Sequence, residues 1–112
     1  MAFQLDVVRS ELPGWPVYWH AQVDSTMNEA ARLAAEGCPH MTAVGADEQT
    51  AGIGRHGHRW HSEPDAGLYV SAVLRIGGCS QPALMLALGL AVKQAIERTC
   101  AVPVDLRWPN DV

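Results

Sequence analysis

At 112 residues, 48% hydrophobic and 18% charged, the chain has room for one domain with its own core, and its composition is not that of a disordered protein. A net charge of −4 and a pI near 5.6 give it no overall attraction to nucleic acid or to an anionic membrane. The longest apolar run, near Ala83 to Val92, is closed by Lys93 and falls short of the roughly 20 residues a bilayer span needs. The N-terminus lacks the basic start and apolar stretch of a secretory signal. Three scattered cysteines (Cys38, Cys79, Cys100) argue against a disulfide framework and for a reducing cytoplasm, and are expected to be small buried hydrophobes.

Residues 5–12 predict a short helix, with Leu5, Val8 and Leu12 on one side, broken by Pro13-Gly14. Val17 to Val23 alternates apolar and polar side chains and reads as a strand. Asp24-Ser25-Thr26 then opens a helix, with Thr26 and Glu29 as a capping box and Gly37 as its left-handed terminator. Met41 to Ala46 predicts a second strand. Gly67 to Ile76 predicts a third, with Leu68, Val70, Ala72 and Leu74 on one face. Between them runs a long polar stretch, Asp47 to Ala66, of a length that marks a functional loop. Pro82 to Thr99 is the strongest helix, with a broad leucine-rich face, and Val102 to Trp108 predicts a fourth strand ended by Pro109. The order α-β-α-β-β-α-β implies an α+β fold, a mixed sheet with helices packed on one side, in a single domain spanning residues 1–112.

Gly52-Ile53-Gly54-Arg55-His56-Gly57 has the spacing of a dinucleotide-binding turn, but no helix opening follows it, so that reading fails. His56, His58 and His61 are close in sequence, yet Arg55 and Arg59 beside them disfavour a cation, and solvated or anion-facing histidines are the better reading. A glycine-rich segment with this much positive charge, in an acidic protein, suits an anionic ligand; a solvated basic loop that binds nothing is the competing reading. Trp60 favours the ligand, because it can pack against a ring. Ser25-Thr26 and Gln49-Thr50 add neutral hydrogen-bonding groups, so the combination fits a ligand with one anionic and one neutral polar end.

Four ordered segments carry a resemblance: Asp24 to Ala30, Ala46 to Ser62, Gly67 to Ser71, and Leu106 to Asp111 with its Trp108-Pro109-Asn110-Asp111. Their order and spacing resemble the signatures of biotin protein ligases from about Val17 to the last residue. The resemblance implies the catalytic-domain fold of biotin and lipoate protein ligases. It also implies a reaction in which biotin and ATP with magnesium form biotinyl-5'-adenylate, whose acyl group passes to a lysine of a biotin carboxyl carrier protein. Carried onto this chain, Ser25, Thr26 and Gln49 hold the biotin ureido group. Gly52 and Gly54 let the backbone close on the ligand. Arg55, the residue implied to be catalytic, lies along the carboxylate–phosphate junction. His58, Arg59 and Trp60 serve the adenylate, as do Asn110 and Asp111, with Asp111 also a magnesium ligand.

The chain departs from the family pattern at Ile53 and His58, where arginine is usual, at Met27 for asparagine and at Arg107 for lysine. An essential lysine that follows Trp-Pro-Asn-Asp in the family is not in the sequence, so the chain is expected to be incomplete at its C-terminus and inactive alone. No DNA-binding domain is expected before residue 13, and no membrane association; a homodimer is allowed. The competing functions are a non-catalytic module that binds biotin or its adenylate, and a relative of lipoate ligases or octanoyltransferases.

Overall fold

The computed structural model describes residues 3–78, 80–108, 111 and 112. They divide into two units, Met1–Arg75 and Ile76–Val112. In the first unit, α1 (Leu5–Glu11) leads into β1 (Val17–Val23), α2 (Thr26–Ala35), β2 (Thr42–Gln49), a short 3₁₀ turn (Arg55–Gly57) and β3 (Tyr69–Val73). The sheet order is β1-β2-β3, with β1 parallel to β2 and β3 antiparallel to it. Parallel neighbours need a crossover, and α2 supplies it. This is the mixed α+β sheet expected.

As the central strand, β2 carries the core. Thr42, Val44 and Ala46, all on one face, have no exposed surface. On the other face Trp19 lies across Gly45, where any Cβ would overlap the indole. Phe3 stacks on Trp19 with ring centroids 3.6 Å apart, and the indole Nε1–H donates to Asp47 at 3.0 Å. That ring fills the space a side chain at position 45 would occupy.

Several elements differ from the sequence reading. The N-cap of α2 is Ser25, not Thr26; its hydroxyl accepts from the amides of Met27 and Asn28. Glu29 pairs with Arg32 at 2.9 Å instead of returning a bond to the cap, so there is no capping box. β2 continues to Gln49, because β1 pairs with it through Gln22↔Glu48 and Val23↔Gln49. β3 is shorter than expected and faces the other way: Tyr69, Ser71 and Val73 are half-buried, while Leu68 and Val70 are exposed. The register Val44↔Ser71 places Ser71 on the buried side, where its hydroxyl meets Thr26 at 2.9 Å. A satisfied hydroxyl can occupy such a place at little cost.

At its far end α2 is closed by Arg75, whose guanidinium donates to the carbonyls of Ala34 (2.9 Å) and Cys38 (2.6 Å), where a cation also suits the helix dipole. In the second unit α3 runs Gln81–Cys100, opened by Ser80 with Pro82 in the first turn. It ends on Ala101 in the left-handed conformation, φ 55°. The expected strand Val102–Trp108 does not form among the described residues; Arg107 and Asp111 make an isolated bridge. The Val104 amide instead points to the Glu97 carboxylate at 3.5 Å, so it is committed to α3 rather than to a ladder. No described residue of α3 is buried, and Leu86, Leu88 and Leu90 of its leucine-rich face are exposed. Cys38 is half-buried and Cys100 exposed, so neither is the buried hydrophobe anticipated, whereas Cys79 and Pro109 lie outside the described residues.

Candidate ligand-binding site

β1 and β2 are parallel, so their C-terminal ends lie side by side, and the chain leaves both into loops. Ligands favour this end of parallel strands. The two exits are laced together: the amide of Thr50 donates to Val23 O (2.9 Å) and that of Ala51 to Asp24 O (2.7 Å). Asp24 accepts from the Ser25 amide (2.6 Å) and the Asn28 side chain (3.0 Å). Those two bonds, Asn28 first, hold its carboxyl below the usual carboxylate range.

Gln49 ties the site together. Its Oε1 accepts from the Thr26 amide (2.7 Å) and the Thr26 hydroxyl (3.0 Å). Its Nε2 donates to Ser62 Oγ at 2.9 Å, and Ser62 in turn donates to the Trp60 carbonyl at 3.3 Å. Ser25, Thr26 and Ser62 are all buried. The glycine-rich stretch is an irregular hairpin rather than an open loop: Gln49 pairs with Ser62 and Ile53 with Arg59, and the Trp60 amide donates to Gly52 O at 2.7 Å. Gly52 is therefore needed by the protein itself, because a Cβ there would lie 2.7 Å from Trp60 O and 2.9 Å from Ser62 Oγ.

The hairpin tip carries Arg55, His56 and Gly57, the last two with positive φ (62° and 76°). Arg55, His58 and Arg59 are exposed, as is Trp60, whose ring lies 3.4 Å from where a Cβ on Gly54 would be. Two clefts flank the returning arm. One of about 270 Å³ is lined by Gln49, Thr50, Arg59, Trp60 and Ser62 among others, and one of about 360 Å³ by Thr50 to Ile53, Gly57 and Arg59. These are modest volumes for a small ligand.

Of the residues expected to bind, the fold brings Thr26, Gln49 and Gly52 together, and puts Arg55, His58, Arg59 and Trp60 on the hairpin beside them. The Ser25 hydroxyl is occupied as the helix cap. Asp111 belongs to the second unit, where it exchanges backbone bonds of 2.8 and 3.0 Å with Arg107; Asn110 lies outside the described residues. Ser62 and Ser71 were not singled out from the sequence. The hint for both was position: Ser62 closes the glycine–tryptophan stretch, and Ser71 interrupts an apolar strand. Among the described residues no three histidine, cysteine or acidic side chains gather as a metal site, and His61 pairs instead with Glu63 at 2.7 Å. Asp111 offers a hard carboxylate oxygen, which fits magnesium only of the kind that takes most of its ligands from phosphates and water.

The family model for biotin/lipoate A/B protein ligases matches residues 19–112. The chain belongs to this family. Its relatives include the bifunctional ligase/repressor BirA of Bacillus subtilis, 37% identical over 107 residues, covering 94% of this chain and 33% of BirA. The biotin–[acetyl-CoA-carboxylase] ligase of Mycobacterium tuberculosis is 37% identical over 99 residues, 82% of this chain and 37% of that protein. Among solved structures, the biotin protein ligase from Aquifex aeolicus in complex with biotin and ATP superposes with a TM-score of 0.73 at 38% identity, covering 85% of this chain and 40% of that one. The chain thus has the fold of biotin protein ligases and spans about a third of the length of the curated relatives it matches. No helix among the described residues is long and apolar enough to cross a membrane.

Proposed function

We propose that the chain provides the biotin- and adenylate-binding part of an ATP-dependent ligase that attaches biotin to a lysine of a biotin carboxyl carrier protein. The observation that carries this reading is the Thr26–Gln49–Ser62 network at the C-terminal ends of β1 and β2, next to a hairpin bearing Arg55, Arg59 and Trp60. It supports a ligand with a neutral, hydrogen-bonding head and an anionic tail. In the first step a biotin carboxylate oxygen attacks the α-phosphorus of ATP, the bond to pyrophosphate breaks, and biotinyl-5'-adenylate forms. In the second the ε-amine of the carrier lysine attacks the acyl carbon, loses its proton and displaces AMP.

Both reacting partners of the first step are anions, so cations and amides must offset their repulsion. Arg55 and Arg59 are the cations for this on the hairpin, His58 offers a ring nitrogen beside them, and Trp60 offers a face to the adenine. Ser25, Thr26 and Gln49 serve the biotin head, with Gly52 allowing the hairpin its close return. Asp111 and Asn110 are the residues that would hold a magnesium ion carried by the nucleotide, and the ion would supply positive charge to the phosphates.

Amide and hydroxyl groups favour an N–H/C=O head over the apolar ring of lipoate. The test, on the ligase of which this chain provides the binding part, is incorporation of labelled biotin into a carrier domain with ATP and magnesium, in the presence of excess lipoate. Biotin transfer unaffected by lipoate is expected. Biotin binding without adenylate formation would make the protein a non-catalytic module, and transfer of lipoate in place of biotin would overturn the assignment.

A further inference from the structure

We infer that Ser62 is a positioning residue for the biotin site: its hydroxyl anchors the nitrogen end of the Gln49 amide and so fixes the donor and acceptor pattern the site presents. The inference rests on the proposed biotin-binding role of Gln49. Gln49 reaches the site from the end of β2, and Ser62 comes from the returning arm of the hairpin, 13 residues on. Ser62 is 4% exposed, so its hydroxyl faces these neighbours rather than water.

The direction of every proton in the network follows from its ends. The Trp60 carbonyl can only accept, so the hydrogen of Ser62 Oγ goes to it. Ser62 therefore meets Gln49 with a lone pair, and the Gln49 atom facing it is the nitrogen. At the other end the Thr26 amide can only donate, so the Gln49 atom facing Thr26 is the oxygen. The two ends agree on one orientation. The Thr26 hydroxyl also donates to that oxygen, which leaves Ser71 to donate to Thr26. A flipped amide would set Oε1 against the lone pair of Ser62 and NH₂ against the Thr26 amide, unfavourable at both contacts.

With the amide held this way, one Nε2 hydrogen goes to Ser62 and the second is the donor Gln49 has left to offer a ligand. Without the Ser62 hydroxyl the oxygen end stays pinned by Thr26, but the nitrogen end swings, and the remaining donor loses its direction. The backbone of the arm does not depend on this hydroxyl, because the hydrogen bonds from the Gln49 amide to Ser62 O (3.1 Å) and from the Trp60 amide to Gly52 O (2.7 Å) hold it independently. The loss therefore falls on the biotin head and spares the nucleotide side.

The experiment is a double-mutant cycle on the protein, with biotin and ATP affinities measured by calorimetry and turnover by adenylate formation. Ser62→Ala weakens biotin binding about 5- to 10-fold, the usual worth of one such hydrogen bond. ATP affinity stays near that of the unmodified protein. In a Gln49→Ala background the same substitution costs nothing further, which a general structural role would not produce. Equal losses in both backgrounds, or equal losses for biotin and ATP, overturn the inference. If Gln49→Ala weakens biotin and Ser62→Ala does not, the positioning role fails and the biotin site stands. If Gln49→Ala leaves biotin affinity unchanged, the biotin site itself is wrong and Ser62 falls with it. Should Ser62→Ala melt below assay temperature, Ser62→Cys, with a weaker hydrogen-bonding group of similar shape, carries the same cycle with a smaller loss.

Discussion

The carbonyl of Trp60 stands 2.7 Å from the point where a Cβ on Gly52 would lie, with Ser62 Oγ at 2.9 Å and Gln49 Nε2 at 3.0 Å from the same point. The first of these is backbone and cannot rotate away. Gly52→Ala must therefore either push the returning arm outward or part Gln49 from Ser62. The expected result is a loss of biotin affinity of about 10-fold or more, at least one hydrogen bond's worth. Gly54→Ala is the control, since its nearest neighbours would be 3.4 Å away and ordinary contact suffices. Titration of both variants with biotin checks the pair; equal affinities would show that the hairpin has slack at position 52.

Much of this was legible in the chain. β1 alternates apolar and polar residues, α3 is a long apolar run opened by a proline, and Ser25-Thr26, Gln49 and Gly52 announce themselves by residue type. What was not legible depended on partners distant in sequence. The inward face of β3 is set by Thr26 meeting Ser71 across 45 residues, which overrides the apolar set Leu68 and Val70. The helix start moved by one residue because Ser25 and Thr26 are both good caps, and Glu29 was claimed by Arg32. The strand propensity of residues 102–108 had no effect where the Val104 amide was committed to Glu97. The hairpin was hidden because Gln49↔Ser62 and Ile53↔Arg59 follow no short turn signature.

Arg55 sits at the start of the exposed hairpin turn, where a guanidinium can reach a bound anion without belonging to the core. If it holds the adenylate, Arg55→Gly leaves formation of the intermediate largely intact and speeds its escape. A charge-assisted contact of this kind is worth about a 10- to 100-fold change in off-rate. Escaped adenylate acylates amines without selectivity, so label should appear on bystander proteins. An unchanged off-rate together with unchanged selectivity would remove Arg55 from the role.

Asp24 links the site to acid sensitivity. Its carboxyl is held below its ordinary 3.8 by the Asn28 side chain and then by the Ser25 amide. A carboxyl depressed in the folded state stabilises the fold above its unfolded pKa, and that contribution is lost as pH falls through the folded value. Asp24→Asn should therefore melt lower than the unmodified protein at neutral pH, and the gap should close as pH drops below about 3.8. Melting curves of both proteins from pH 7 to pH 3 decide it. A gap that is constant with pH would assign the effect to shape rather than to charge.

Ala101 ends α3 in the left-handed region, φ 55° and ψ 35°, with its amide donating to the Glu97 carbonyl at 3.1 Å. An L-residue with a Cβ is strained there, because the Cβ crowds its own backbone; glycine is not, and it is the usual residue at such helix ends. The hydrogen bond comes from the backbone, so glycine keeps it. Against the relief stands the greater freedom glycine gives the unfolded chain. The strain, about 1 kcal/mol or somewhat more, exceeds that entropic loss, about 0.5–1 kcal/mol. Ala101→Gly should accordingly raise stability slightly, by a few tenths of a kcal/mol up to about 1 kcal/mol, and Ala101→Val should lower it because a branched side chain tolerates this conformation least. Denaturant unfolding of the three proteins ranks them Gly, Ala, Val from most to least stable. A Val variant as stable as the Gly variant would mean that α3 does not end in this conformation in solution.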